Sequence, residues 1–266
     1  MAMQTDKIKN MTGQTAEAVQ SVDAAQVTDR KFTLNGIGLL SGAQLKYIAF
    51  LSMLIDHVNK TLIYPYLNGG TLEVVSDIFD VMGRIAFPIF IFLLVEGYFH
   101  TKNKWKYLGT LLIFGVISEV PFDMFSSGVF IEWNANNIMF TLALVLVMIW
   151  IIDVLRKKME KLPKVVWFIA TVPIVVVMCL IAMNLAVDYE FHAVLIGYFL
   201  YIFHEKLVIA VPFCFLSMYK EPWALLGFGL TLTYNGRRGR QNKLVNYLFY
   251  PVHMLILGII RMYLGL

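Results

Sequence analysis

Nine apolar runs, separated by charged or turn-forming breaks, constrain this chain more than any other feature of its sequence. A bilayer core about 30 Å thick takes roughly 20 mostly apolar residues per helix. Five runs meet that length closely, at residues 45–64, 78–99, 107–125, 137–155 and 165–184. Three shorter runs follow at 191–203, 207–219 and 223–234, and a last long one covers 244–263. With 59% of the 266 residues hydrophobic and 15% charged, the chain is too apolar for a soluble domain to cover itself with polar surface. The expectation is an all-α, polytopic membrane protein with about nine transmembrane helices. Eight to ten fit as well, because the short runs could re-enter without crossing.

Orientation follows from lysine and arginine, which short cytoplasmic loops keep in excess. Lys102, Lys104 and Lys106 follow the second run, and Arg156, Lys157, Lys158, Lys161 and Lys164 follow the fourth. Arg237, Arg238, Arg240 and Lys243 precede the ninth. With nine crossings of the cell's inner or plasma membrane, the amino terminus lies in the cytoplasm and the carboxyl terminus outside. These loops explain the net charge of +4, so lipid is the implied partner and no nucleic acid is needed. Residues 1–40 mix Gln, Thr, Ser, Asp and Ala with no apolar periodicity and read as a disordered cytoplasmic tail. Residues 41–266 form the membrane domain. The tail has no signal-peptide pattern, so the first helix is expected to direct insertion. Cys179 and Cys214 both lie in apolar runs, read as packing residues, and supply neither a disulfide framework nor a zinc spacing. No metal is expected.

Polar side chains inside such runs are expensive in lipid and face a cavity or a partner. The first run carries Ser52, Asp56 and His57. Ser52 and Asp56 stand one turn apart, while His57 is turned about 100° from Asp56, so the two can serve different neighbours. Gly83, Arg84 and Pro88 open the second run, and Glu96 and His100 close it. Glu119 and Asp123 flank Pro121 on the third, and Asn136 and Asn137 precede the fourth. On the orientation above, Asp56, His57, Arg84, Glu119, Asp123 and Asn137 share the outer half of the membrane. Plainer roles exist for each. Arg84 could neutralise Asp123 or Glu119 as a buried pair, Glu96 and His100 could form a solvated helix-end pair, and Asn137 could cap its helix. His57, an imidazole beside a carboxylate, is the residue best suited to take a proton near neutral pH, with a structural histidine as the alternative.

The segments LKYIAFLSMLIDHVNK, GRIAFPIFIFLLVEGYFHTKNKWKYL, ISEVPFD and NNIMFTL, in this order, resemble the TraX family of membrane proteins. YNGRRGR and YLFYPVH near the carboxyl end are similar to the family's closing motif, and the likeness covers about residues 43–263. The family's founding function is acetylation of the amino terminus of a conjugative pilin. By this resemblance Asp56 and His57 fall on the family's Asp-His pair and Arg84 on its Gly-Arg-Ile-Ala-Phe-Pro segment. Glu96 and Gly97 fall on the Glu-Gly that follows, Glu119, Pro121 and Asp123 on Glu-x-Pro-x-Asp, and Tyr250, Pro251 and His253 on the final motif. One departure stands out. Where the family pattern has Asp-Tyr-Gly, this chain has Asp188 and Tyr189 followed by Glu190, Phe191 and His192.

The resemblance extends in outline to transmembrane acyltransferases and implies an acetyltransferase drawing on cytosolic acetyl-coenzyme A. Catalysis would rest on His57 as general base, with Asp56 and Arg84 in support. Glu119, Asp123, Asn137, Tyr250 and His253 would line the acceptor site. The acceptor would be an amine such as the amino terminus of an exported peptide or pilin, or a hydroxyl. Arg237, Arg238, Arg240 and Lys243 could pair the phosphates of coenzyme A, or serve only to set topology. The His-x4-Asp pattern of soluble glycerolipid acyltransferases is absent, because Leu62, Trp105, Gly197, Ile209 and Gly258 occupy the fifth position after the five histidines. Two rivals from other classes remain. A small-molecule transporter would also place charges in helices broken near Pro121 or Pro212, although no internal repeat is visible. A non-catalytic assembly partner would tolerate loss of His57.

Overall fold

The computed structural model describes residues 37–265, and among them the chain is helical with no strand beyond two isolated bridges. Helix α1 (Gly42–Val58) starts on a capping box, in which the Ser41 side chain and the Gln44 side chain each accept from the other's backbone. It runs on through a π turn (Asn59–Ile63) into a 3-10 turn (Tyr64–Tyr66). Then come α2 (Thr71–Gly83), α3 (Ala86–His100), α4 (Lys104–Ser127), α5 (Ile138–Lys158) and α6 (Lys164–Asn184). The series ends with α7 (Glu190–Ile202), α8 (Leu207–Ser217), α9 (Ala224–Thr231) and α10 (Lys243–Leu264). Asn103, Asn137 and Asn242 cap α4, α5 and α10 through side-chain oxygens that accept backbone N–H groups.

Five stretches are long and apolar enough to cross a bilayer: α2 and α3 taken together (71–100), α4, α5, α6 and α10. The protein is a polytopic membrane protein. Of the nine runs seen in the sequence, the other four form helices of 17, 13, 11 and 8 residues, α1, α7, α8 and α9. At 1.5 Å per residue, α7, α8 and α9 extend only about 20, 17 and 12 Å, well short of a bilayer core. Composition could not reveal this, because a half-length helix buried among others is as apolar as a crossing one.

The core lies where α3, α5 and α7 meet. Ile89, Ile91, Phe92, Val145, Leu146, Ile149 and Ile196 are all at most 1% exposed. Gly197 sits so close to Val145 that a methyl group there would fall 2.3 Å from its Cγ1. Helix α6 covers one flank and turns Val165, Ile169, Val172 and Val176 outward at 51–66% exposure, the apolar face that lipid requires. Helices α4 and α10 pack along each other, with α4 also against α5 and α10 against α1.

The basic clusters gather at one end of the bundle. There Tyr98 of α3 and Tyr201 of α7 donate to Asp153 of α5 at 2.9 and 3.2 Å, and Lys157 pairs with the same carboxylate at 3.1 Å. Residues 1–36 of the expected tail lie outside the described residues. Residues 37–40 run along the chain after α9, with the Ile37 and Leu39 N–H groups donating to the Leu232 and Thr233 carbonyls at 2.7 and 2.6 Å.

Candidate active site

The second apolar run breaks in two at Arg84 and Ile85, between α2 and α3. Carbonyls of α2 are held from α1 and the π turn that follows it, where the Ser52 hydroxyl donates to Met82 O beside the break at 2.6 Å and Asn59 Nδ2 to Ser76 O, further back along α2, at 3.0 Å. Gly83 lets the two helices touch, because a β-carbon there would stand 2.5 Å from Asp56 Cβ and Oδ1. From the other side Gly227 of α9 packs against Ile85 O and Pro88. Arg84, at the break, pairs with Asp80 at 2.7 Å and with Glu221 at 3.2 Å. Neither Glu119 nor Asp123 is its partner, as sequence spacing had allowed. Glu221, in the α8–α9 connection, carried no signal in the sequence. Beside the break the rings of Phe87 and Tyr189 stack with centroids 3.6 Å apart. The start of α7, the end of α8 and the start of α9 thus meet the α2–α3 break at one level, away from the basic end.

Asp56 and His57 serve different neighbours. Asp56, 8% exposed, pairs with Lys60 at 2.6 Å, a residue the sequence did not single out. His57 meets His253 of α10, Nδ1 to Nε2 at 2.9 Å, with the two rings nearly coplanar at 4°. His253 Nδ1 lies 2.6 Å from the Phe249 carbonyl. A carbonyl can only accept, so His253 Nδ1 carries a proton and its Nε2 accepts from His57 Nδ1–H. In neutral His57 the basic nitrogen is therefore Nε2, which faces Asp56 Oδ2 at 3.8 Å. That separation is too long for a hydrogen bond. Asp56 is bonded to Lys60, and His253 orients the His57 ring.

Glu119 and Asn137 are joined to each other. Asn137 Nδ2 donates to Glu119 and, at 2.8 Å, to Gly115 O, while its Oδ1 caps α5 by accepting from Met139 N–H at 2.9 Å. Asp123 Oδ2 accepts from Glu132 N–H at 2.9 Å and holds the loop after α4. Tyr250, 3% exposed, is packed with Phe50, Met53 and Phe125, and Ile138 closes against the same cluster. Next to His57, whose ring centroid is 4.7 Å from that of Phe125, opens a cavity of about 560 Å³. Lys60, Thr61, Tyr64, Phe125, Ser126 and Arg261 line it.

Arg237, Arg238, Arg240 and Lys243 lie apart from this centre, at the basic end. Their loop is fastened to α1 by its carbonyls, with Gly42 and Ala43 N–H donating to Arg237 and Arg238 O at 2.9 Å each. Gly239 is required there: its φ is +72° and a β-carbon would fall 2.7 Å from Ser41 Oγ. The four side chains are exposed. From Gly42 to His57 the rise along α1 is about 22 Å. Glu96, 9% exposed, belongs to this end too and is not the solvated partner of His100 alone, since it also binds His204 Nε2 at 2.6 Å. Burial and the Glu96 carboxylate push the Tyr234 phenol up to about 12, which keeps it protonated and donating to Glu96. Among the described residues no three His, Cys, Asp or Glu side chains converge as a metal ion would need.

A polytopic helical membrane protein, with an ionisable centre at a broken helix and a basic loop at the far end of α1, is the class these features define. Residues 41–261 match the profile of the family described as TraX protein, and the chain belongs to that family. It is also similar to the probable fimbrial assembly protein FimC, serogroup H1, of Dichelobacter nodosus, with 30% identity over 249 residues, 84% of this chain and 97% of that protein. No solved structure matches the chain.

Proposed function

We propose that this protein is an acetyl-coenzyme A-dependent acetyltransferase of the cytoplasmic membrane, with its basic end and amino terminus inside, acting on an exported acceptor such as the amino terminus of a pilin. One observation carries the reading, the chain of hydrogen bonds Phe249 O, His253, His57, which leaves His57 Nε2 as an oriented base beside a carboxylate. A transferase needs such a base, because the acceptor loses a proton as it attacks the thioester. The acceptor nitrogen or oxygen bonds to the acetyl carbon, the carbon–sulfur bond breaks, His57 Nε2 takes the acceptor's proton, and the thiolate of coenzyme A leaves and is reprotonated. Arg84, held by Asp80 and Glu221, fixes the break in the helix and keeps positive charge at the site. Arg237, Arg238, Arg240 and Lys243 pair the donor's phosphates, and its long pantetheine arm carries the thioester along α1 to His57. Glu119, Asn137 and Tyr250 form the far wall and Asp123 steadies the loop above it. The fimbrial assembly role named for the relative agrees with a pilin acceptor.

Purified protein in lipid nanodiscs is expected to consume acetyl-coenzyme A and to transfer labelled acetate to a peptide offered with it. Absence of both donor binding and turnover would sink the reading. The broken helix supports a second one, a small-molecule transporter, since transporters bind substrate at discontinuous helices. Uptake into vesicles without loss of acetyl-coenzyme A is the result that would favour it.

The imidazole pair gives a sharper expectation. His253→Leu removes the acceptor for His57 Nδ1–H, frees the wrong tautomer, and should lower kcat by about 10²-fold with little change in KM. His253→Gln, whose amide oxygen can accept the same proton, should recover much of that loss. Equal activity of the two variants would remove His253 from this role.

A further inference from the structure

The cavity beside His57 has walls that no step of acetyl transfer uses. It lies where two spanning helices end. Helix α4 stops at Ser127 and α10 at Leu264, and Arg261 Nη1 bridges them by donating to Phe125 O and Ser126 O at 2.6 and 2.8 Å. The third side is the π turn Asn59–Ile63 after α1, which brings Lys60 and Thr61 to the same cavity. Turns of this kind are rare and recur at functional sites. A volume of about 560 Å³ falls within the range of about 300 to 1,000 Å³ that ligand sites occupy.

The lining combines two cations, Lys60 and Arg261, with the hydroxyl residues Thr61, Tyr64 and Ser126 and the apolar surfaces of Pro65 and Phe125. No carboxylate is among these residues. Both cations are held in place, Lys60 Nζ by Asp56 at 2.6 Å and Arg261 by the two carbonyls, so the wall is fixed before a ligand arrives. Thr61 is 1% exposed, yet among the described residues its hydroxyl has no hydrogen-bond partner. Buried polar atoms are nearly always partnered, and an orphan on a residue that lines a cavity marks where a ligand's polar atom belongs. Around the cavity Tyr64, Tyr66 and Tyr263 are 65, 50 and 89% exposed. Such rings collect at the membrane–water interface. Lys60 and Arg261 also stand at the end of the bundle opposite the basic clusters, where the topology rule calls for no cation.

We infer that this cavity binds the phosphate head group of an anionic glycerophospholipid from the leaflet away from the basic end. Lys60 and Arg261 pair the phosphodiester oxygens, the Thr61 hydroxyl donates to one of them, and Pro65 and Phe125 receive the glycerol and the first acyl carbons. Basic pockets between membrane helices take phosphate head groups in this way. A zwitterionic lipid fits less well, because its ammonium would find no carboxylate on the wall. Phe125 is shared with the ionisable centre, its ring centroid 4.7 Å from that of His57, so a bound lipid closes that flank of the centre to water. Lipid binding here is independent of acetyl transfer and is measured without turnover.

The probes are dioleoyl phosphatidylglycerol, dioleoyl phosphatidylethanolamine and free glycerol 3-phosphate, each titrated against the full chain in detergent and read by native mass spectrometry. The parent should bind phosphatidylglycerol at least about tenfold more tightly than phosphatidylethanolamine, as one hydrogen bond to a charged group confers. Thr61→Val keeps the side chain's shape and removes only the orphan hydroxyl. It should weaken phosphatidylglycerol binding by about fivefold or more, with an unfolding temperature unchanged or raised. Arg261→Gln should cut the preference between the two lipids to about twofold. Lys220→Gln, at an exposed cation in the α8–α9 connection and outside the lining, should leave the preference as it is. Four results would each overturn the inference: no preference in the parent, parent-like binding by Thr61→Val, an equal loss in Lys220→Gln, or glycerol 3-phosphate bound as tightly as the lipid. The last would make the cavity a site for a soluble phosphate.

Discussion

His57→Gln should reduce acetyl transfer by at least about 10³-fold while leaving acetyl-coenzyme A binding unchanged. The glutamine amide can still donate to His253 Nε2, so the contact between α1 and α10 survives, but it offers no basic nitrogen. General base catalysis is worth about 10² to 10⁴ in rate, and the loss falls on kcat because proton transfer belongs to the transition state. Donor binding is spared because the basic loop lies about 22 Å away along α1. His57→Ala should lose as much activity and some stability, since it leaves a void against Phe125 and an unanswered nitrogen on His253. Single-turnover kinetics with labelled acetyl-coenzyme A, beside equilibrium binding of the same donor, separate the two effects. A glutamine variant with a tenth or more of the parent's rate would exclude His57 as the base.

Gly83→Val should be the most damaging substitution at the break itself. Its β-carbon would sit 2.5 Å from Asp56 Cβ and Oδ1, and neither helix can retreat easily. Ser52 and Asn59, which flank Asp56 in the sequence, tie α1 and its π turn to the Met82 and Ser76 carbonyls of α2. We expect a loss of about 3 kcal/mol of stability, at the upper end for an overpacked core, together with disruption of the Asp56–Lys60 pair and most of the activity. Thermal unfolding in detergent, read by tryptophan fluorescence, measures the first and acetyl transfer the second. Gly109→Ala on α4 is the matching control, because nothing lies within 4 Å of its added methyl and a helical alanine is favoured over glycine. Similar unfolding temperatures for the two variants would mean that the α1–α2 approach at Gly83 is not tight.

The residues of the ionisable centre were readable for a simple physical reason. Asp56, His57 and Arg84 are ionisable groups inside apolar runs, and a charge placed there needs a purpose. Their partners were not readable. Lys60 and Glu221 lie at the ends of runs, where a charge is ordinary. His253 was visible as a polar residue on the last helix, but its contact with His57 joins positions 196 residues apart. The break at Arg84 was half visible. Gly83 and Pro88 hinted at it, yet both halves are apolar and read as one crossing.

By itself, then, the sequence determined the class of this protein: the solvent its helices must face, the clustering of cations at one end and the family it resembles. Each of these depends on local composition, or on motifs that need no partner. Only the tertiary structure decided which runs stop halfway, which carboxylate answers which cation, and which nitrogen of His57 is free. Those outcomes are set by packing between α1, α3, α7 and α10, where a glycine or a carbonyl brought close by the fold decides what its neighbour can do.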